Sequence, residues 1–276
     1  MNIINVHSHV SLDKNKIPVI SGMPADEYAS YCKKMGIEKT CVSVVGDDCG
    51  EEDGNKVVFD LISKYPDFFI GMVSTDIDRL TGKKIKELNT KGFKAIKLIC
   101  PKYNYDDKRY FKIYLTAEKL GMPILFHTGY VSPAVKFKTK TVSYERMQPV
   151  HLDSIARVFP GLKIIGAHLA NLSYFWQAIE VAYKNENIYF DLTGGTIRMM
   201  PLSFFKMAFS VNAKPNLEST EEIPREELIR KFVFGSDNPD PKDLLVFYNN
   251  LMNLLGVKSE TREQVLYFNA KKIFNL

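Results

Sequence analysis

The chain has 276 residues, with 37 Lys and Arg against 32 Asp and Glu, a formal charge of +5, and 45% hydrophobic residues. Those proportions exclude collagen-like, disordered and disulfide-scaffold chains, and the interspersed charge lacks the basic stripe of a nucleic-acid binder. The length fits two mid-sized domains or one α/β barrel, which needs roughly 250 residues.

The opening Met-Asn-Ile-Ile-Asn-Val-His has no basic segment leading into an apolar one. No apolar run approaches the roughly 20 residues of a membrane span, so a cytoplasmic chain without membrane attachment is expected. Cys32, Cys41, Cys49 and Cys100 lack CxxC spacing and are expected to be reduced thiols.

In chain order, short apolar runs predict strands at Ile3 to Val6, Thr40 to Val45, Phe69 to Ser74 and Ala95 to Ile99. Four more follow at Ile124 to Phe126, Lys163 to Ala167, Ile188 to Leu192 and Phe232 to Phe234. Between them, amphipathic stretches predict helices at Gly54 to Lys64, Lys83 to Lys91, Asp107 to Leu120, His151 to Val158 and Ser173 to Lys184. Asp240 before Pro241 marks a further helix start. Eight strands alternating with helices predict a (β/α)8 TIM barrel, read as one domain over residues 1–276. An open doubly wound sheet is the alternative, but no glycine-rich phosphate loop follows the first strand. Gly129 to Pro149 and Thr193 to Pro224 are longer than connections need; both follow strands and are read as substrate-facing.

Four of the five histidines end predicted strands. His7 and His9 close the first as Val-His-Ser-His, where alternation puts both on one face. His127 ends the fifth, His168 the sixth, and Asp237 closes the eighth in Phe-Gly-Ser-Asp-Asn-Pro. Each alone has a plain structural explanation: a hydrogen-bonded core histidine, or a turn aspartate. Their shared position on one barrel rim is what points to a divalent transition-metal site, since imidazole and carboxylate suit zinc-type ions.

This order, HxH, then Lys97 on strand four, His127, His168 and Asp237, resembles the amidohydrolase superfamily, in its amidohydrolase-related (amidohydrolase 2) branch. Gly92 to Leu98, Phe159 to Ile165, Phe234 to Pro239 and Asn269 to Phe274 carry the resemblance further. The resemblance implies one Zn2+ or similar ion held by His7, His9, His127 and Asp237, with Asp237 also moving the proton of an activated water. His168 would then polarise the substrate oxygen. The alternative is two ions, with His168 a ligand and Lys97 carboxylated as a bridge.

Lys97 alternates with Ala95 and Ile99 on a strand apolar on both faces, where an unpaired ammonium is costly. It is assigned a functional role beside the plainer reading of a stem packed below a rim charge. Lys136, Lys138, Lys140 and Arg146 in the fifth-strand loop hint at substrate charge, though the Lys-x-Lys-x-Lys stretch reads chiefly as solvated surface; Arg198 is the better candidate carboxylate clamp, with Tyr130 its neighbour. His151 begins a helix and is left out of the site. The expected function is a metal-dependent hydrolase of an amide, ester or lactone in a small, carboxylate-bearing molecule. A metal-assisted decarboxylase of an aromatic or unsaturated acid is the rival, and a non-catalytic metal-binding barrel the third class. A homodimer is left open.

Overall fold

A computed structural model describes residues 2–44, 51–133, 135, 141–214, 218 and 220–276, without the side chains of 51–53. The strands are β1 (Ile3–Leu12), β2 (Pro18–Ile20), β3 (Met23–Pro24), β4 (Ile37–Ser43), β5 (Phe69–Ser74) and β6 (Ala95–Leu98). They continue as β7 (Ile124–Phe126), β8 (Ile164–Gly166), β9 (Ile188–Asp191), β10 (Ser210–Asn212), β11 (Glu222–Pro224) and β12 (Phe232–Val233). The helices are α1 (Ala25–Lys34), α2 (Glu51–Lys64), α3 (Gly82–Thr90), α4 (Phe111–Lys119), α5 (Pro149–Val158) and α6 (Phe175–Lys184). After β9 come α7 (Gly195–Arg198), α8 (Leu202–Phe209) and α9 (Glu226–Ile229), then α10 (Pro241–Leu254), α11 (Ser259–Glu263) and α12 (Asn269–Phe274).

Parallel pairing runs in the order β1, β4, β5, β6, β7, β8, β9, β12. The two ends of this sheet meet: Val6 N–H donates to Phe234 O at 2.9 Å and Asp237 N–H to His7 O at 2.7 Å, with a Ser8–Asp237 bridge. The expected eight-stranded TIM barrel is therefore present. β2 and β3 extend the far end of β1 as an antiparallel ribbon, which the sequence reading did not separate from the first loop.

Two cores hold the wall. The interior one includes Ile4, Val6, Cys41, Ile70, Ala95 and Leu125, and is closed at one end by Ala270, Ile273 and Phe274 of α12. The outer one lies between strands and helices and takes Ile96 and Leu98, so Ala95 and Lys97 face inward as their alternation requires. Cys32, Cys41 and Cys100 are buried free thiols, whereas Cys49 lies outside the described residues.

β1 departs from simple alternation. Ile4 and Val6 sit in the interior core, yet so do the rings of His7 and His9, because the pairing with β4 slips between Asn5 and Ser8. Such a bulge puts two successive side chains on one side and re-aims those that follow. It allows the same strand to build core below and present imidazoles above. Asn5 on the outer side secures the bulge, donating to Ser236 Oγ at 2.8 Å and accepting from His7 N–H at 3.2 Å.

The long loops gain structure the sequence did not announce. Residues after β7 include a short turn at Tyr144–Met147, and those after β9 carry α7, α8 and the β10–β11 hairpin. Asp240 caps α10 as expected, accepting from Lys242 N–H at 2.8 Å with Pro241 at the first helical position.

The strand-to-rim turn at Gly235 is packed against the site. A Cβ there would stand 3.0 Å from His7 Cβ and 3.2 Å from Asp191 Cβ. Gly235→Ala is accordingly expected to cost about 1–3 kcal/mol, read as a lower urea midpoint. An unchanged midpoint would show that this contact can relax freely.

Candidate metal centre

Burial makes the chemistry of the rim unusual, because five acceptor-bearing side chains meet where little water reaches. His7 is fully buried, and His9, His127 and His168 nearly so. Loss of hydration disfavours the charged ring, so burial first, with Lys97 contributing, lowers the pKa of His7 and His9 and drives that of His127 far down. His168 falls to about 4 for the same first reason. All four rings are neutral at pH 7, each with one N–H and one lone pair.

The surroundings fix which nitrogen carries the proton. His7 Nδ1 lies 2.8 Å from Asp191 Oδ2, an acceptor, so Nδ1–H donates. His9 Nδ1 faces the Ser43 carbonyl at 3.3 Å and its hydroxyl at 3.1 Å. His127 Nε2 faces the Tyr130 carbonyl at 3.3 Å. Thr193 Oγ1 donates to Asp191 Oδ1 at 2.6 Å and so accepts from His168 Nδ1–H at 2.7 Å.

The opposite edges are therefore lone pairs, and they point at one another. His7 Nε2 and His9 Nε2 are 3.1 Å apart, Asp237 Oδ1 is 3.1 Å from His9 Nε2 and 3.6 Å from His7 Nε2. His127 Nδ1 and His168 Nε2 face each other at 3.2 Å. Lys97, itself buried, sends Nζ to within 3.1 Å of His7 Nε2, and burial lowers its pKa to about 8 against the pull of Asp237 and Asp191. Acceptors in such contact need a shared proton or a cation. Ligands bound at about 2.0–2.1 Å to a tetrahedral ion sit about 3.3 Å apart, which the His7, His9 and Asp237 spacings match. The donor set thus fits a zinc-type ion.

Asp191 was not among the residues picked from sequence. Burial alone would raise its carboxyl, but His7 and Thr193 hold it below the usual carboxylate range. It also accepts from His168 N–H at 2.8 Å, so one carboxylate sets both His7 and His168. Its only sequence signal is an acid ending a buried strand, Tyr-Phe-Asp. For Asp237, burial would likewise raise the carboxyl, and the neighbouring His9 and His7 hold it well down.

Two rim residues occupy strained backbone: His168 has φ 65° and Asp237 φ 59°. Non-glycine residues hold that region only where surroundings over-determine them. Here Asp191 grips His168 N–H, while Asp237 N–H is tied to His7 O.

The site opens into a cavity of about 380 Å³. His9, Lys97, His127, His168 and Asp237 form its polar end, with Ile99, Val131, Val135 and Leu172 among the apolar lining. Tyr130 lines it too and is half exposed, its ring tilted at 60° to that of Tyr144. Arg198 ends α7, outside the described lining, and its buried Nε has no hydrogen-bond partner among the described residues. Arg146 ties its loop down through the carbonyl of Pro101 at 3.3 Å, and Lys136, Lys138 and Lys140 lie outside the described residues. His151 stands apart, paired to Asp106 at 3.0 Å and to the Glu145 carbonyl at 3.2 Å.

Neutral buried histidines make acid sensitivity a direct readout. With folded values depressed below 6.5, unfolding takes up protons; stability is complete above about pH 6.5 and lost as pH falls toward about 4. Metal-stripped protein should show its melting temperature dropping across that window, and a flat profile would contradict neutral rings. Long-range 15N–1H spectra should place the His168 proton on Nδ1. Thr193→Val should release that preference and Thr193→Ser restore it; a proton on Nε2 in the parent protein would refute the assignment.

None of the curated proteins matches the chain. Among solved structures, a probable 2-pyrone-4,6-dicarboxylic acid hydrolase from Acinetobacter baumannii with citric acid bound aligns at 13% identity and TM-score 0.64, covering 100% of both chains. A dihydroxybenzoic acid decarboxylase from Polaromonas, with bound manganese and 2-nitroresorcinol, aligns at 15% identity and TM-score 0.66, covering 100% of this chain and 98% of that one. A 4-oxalomesaconate hydratase from Rhodopseudomonas palustris aligns at 16% identity and TM-score 0.64, covering 99% and 95%. At these identities the likeness is one of fold, and the three carry three different reactions. The amidohydrolase family model matches residues 34–276, and the chain belongs to that family.

Proposed function

We propose that the chain is a metal-dependent hydrolase, cutting an amide, ester or lactone bond in a small, carboxylate-bearing molecule. The observation that carries this reading is the convergence of neutral imidazole lone pairs on the Asp237 carboxylate at the mouth of a cavity. His7, His9 and Asp237 would hold one divalent ion of the zinc or manganese kind, with His127 as the further ligand implied by the family resemblance. Such an ion would supply a bound water with its pKa lowered toward about 7.

The chain's own residues do the rest. Asp237 is a fifth exposed, so its carboxylate both reaches the cluster and faces the cavity, placed to accept a proton and return it to a leaving group. Asp191 and Ser43 keep the histidine lone pairs aimed inward. His168 offers a lone pair at Nε2, so as a neutral ring it accepts rather than donates there. That favours the ligand reading of His168 over the polarising one, and with it the two-ion alternative, in which Lys97 takes part only as a carboxylated bridge. Tyr130 remains the candidate substrate contact at the mouth. With Lys97 uncarboxylated and a single ion, it is the only cation among the described lining residues, and we then place a substrate carboxylate near it rather than at Arg198. We read residues 1–276 as one domain built around this site.

The three neighbours' names span hydrolysis, decarboxylation and hydration, so product chemistry decides. Turnover in 18O-water should put label into a product whose amide, ester or lactone bond is cleaved; label gained with no such bond cleaved would favour hydration, and carbon dioxide release without label the decarboxylase. Asp237→Asn should keep the fold and lower kcat by about 10² to 10⁴, the range of general acid–base loss. Wild-type kcat with full metal occupancy would remove Asp237 from the proton path.

A further inference from the structure

A second cavity of about 610 Å³ lies between α2 and α3, beside the segment that follows β5, and shares no lining residue with the metal-centre cavity. α3 packs on α4 along its other side, leaving this groove open. Leu80, Leu88 and Phe93 form a buried floor, and Phe59 of α2 stands 38% exposed beside it.

Among its described lining residues the rim has one sign of charge: Lys56, Arg79, Lys84 and Lys91 line the cavity, with no carboxylate among them. Lys56 meets Asp60 at 2.9 Å and Arg79 stands 3.9 Å from Asp76, but Lys84 and Lys91 have no acidic partner among the described residues. A row of lysines on a convex helix face is simply solvated. Cations gathered around an apolar floor instead create a positive field over a surface that repels water, and that field is strengthened by the low-dielectric walls.

The charges are not spread evenly. Arg79, Thr81 and Lys84 cluster where α3 begins, at the positive end of its dipole, while Lys91 lies two turns on, about 10 Å along the axis. The geometry points to a binding site for a small amphiphilic anion: an acidic head of carboxylate or phosphate type at Arg79 and Lys84, and an apolar ring or chain laid against Phe59, Leu88 and Phe93. This site is independent of the reaction proposed above and stands whether or not that proposal holds.

Backbone-amide NMR of the protein as purified, titrated with phenylphosphonate, tests it. The P–C bond is not hydrolysable, and inorganic phosphate and benzyl alcohol each supply only half of the chemistry. Saturable shifts are expected at Asn55, Thr75 and Lys84, with phenylphosphonate binding at least about tenfold more tightly than either half. Arg79→Glu with Lys84→Glu, both on exposed side chains, should weaken it at least about tenfold while leaving any shifts around His168 and Gly194 in place. No saturable shift at these positions by about 10 mM, or equal affinity in the charge-reversed variant, would overturn the site. Phosphate binding as tightly as phenylphosphonate would overturn the apolar half and leave a plain anion contact.

Discussion

Everything at the rim depends on one electrostatic constraint: lone pairs on buried neutral rings, set against one another and against a carboxylate at about hydrogen-bond distance. Such contacts are repulsive unless something positive lies among them. Burial disfavours the proton as that positive group, since His168 holds a value of about 4 and the other rings are lowered too. Among the described residues Lys97 is the one donor inside the cluster, and of these rings it reaches only His7 directly. Charge, tautomer and distance thus all favour a divalent ion.

The barrel meets this constraint with features that would be faults elsewhere. The bulge in β1 brings His7 and His9 inward above Ile4 and Val6. Left-handed backbone at His168 and Asp237 turns the chain immediately beyond the strands, at a cost on the order of 1–3 kcal/mol each. Gly235 lets the last strand approach the His7–Asp191 pair. Asp191 binds these features together, because its two oxygens serve rings from opposite parts of the sequence.

Much of this was legible in the sequence because it depends on local pattern. Strand runs such as Phe69–Ser74 and Ile124–Phe126 appear with the boundaries their β-branched and apolar residues suggest. The barrel followed from their alternation with helices, and the metal-type cluster from histidines at strand ends. What stayed hidden depends on three-dimensional accounting. No pattern marks Asp191 as the partner of His7, 184 residues away in the chain. Nor does one say that Thr193, by having to donate to Asp191, forces the His168 proton onto Nδ1. Whether His168 polarises a substrate or ligates an ion turns on that tautomer, which residue pattern alone does not give. Arg198 was drawn toward the cavity by its place after a strand, yet α7 leaves it outside the described lining.

The most direct test of the central claim is X-ray absorption of the metal-loaded protein, with metal content measured in parallel. The account requires a first shell of nitrogen and oxygen at about 2.0–2.2 Å, with scattering from at least two imidazoles, and loss of the metal when His7 and His9 are both replaced by Ala. A shell containing sulfur at about 2.3 Å, a shell without imidazole, or a double variant that keeps its full metal content would contradict it.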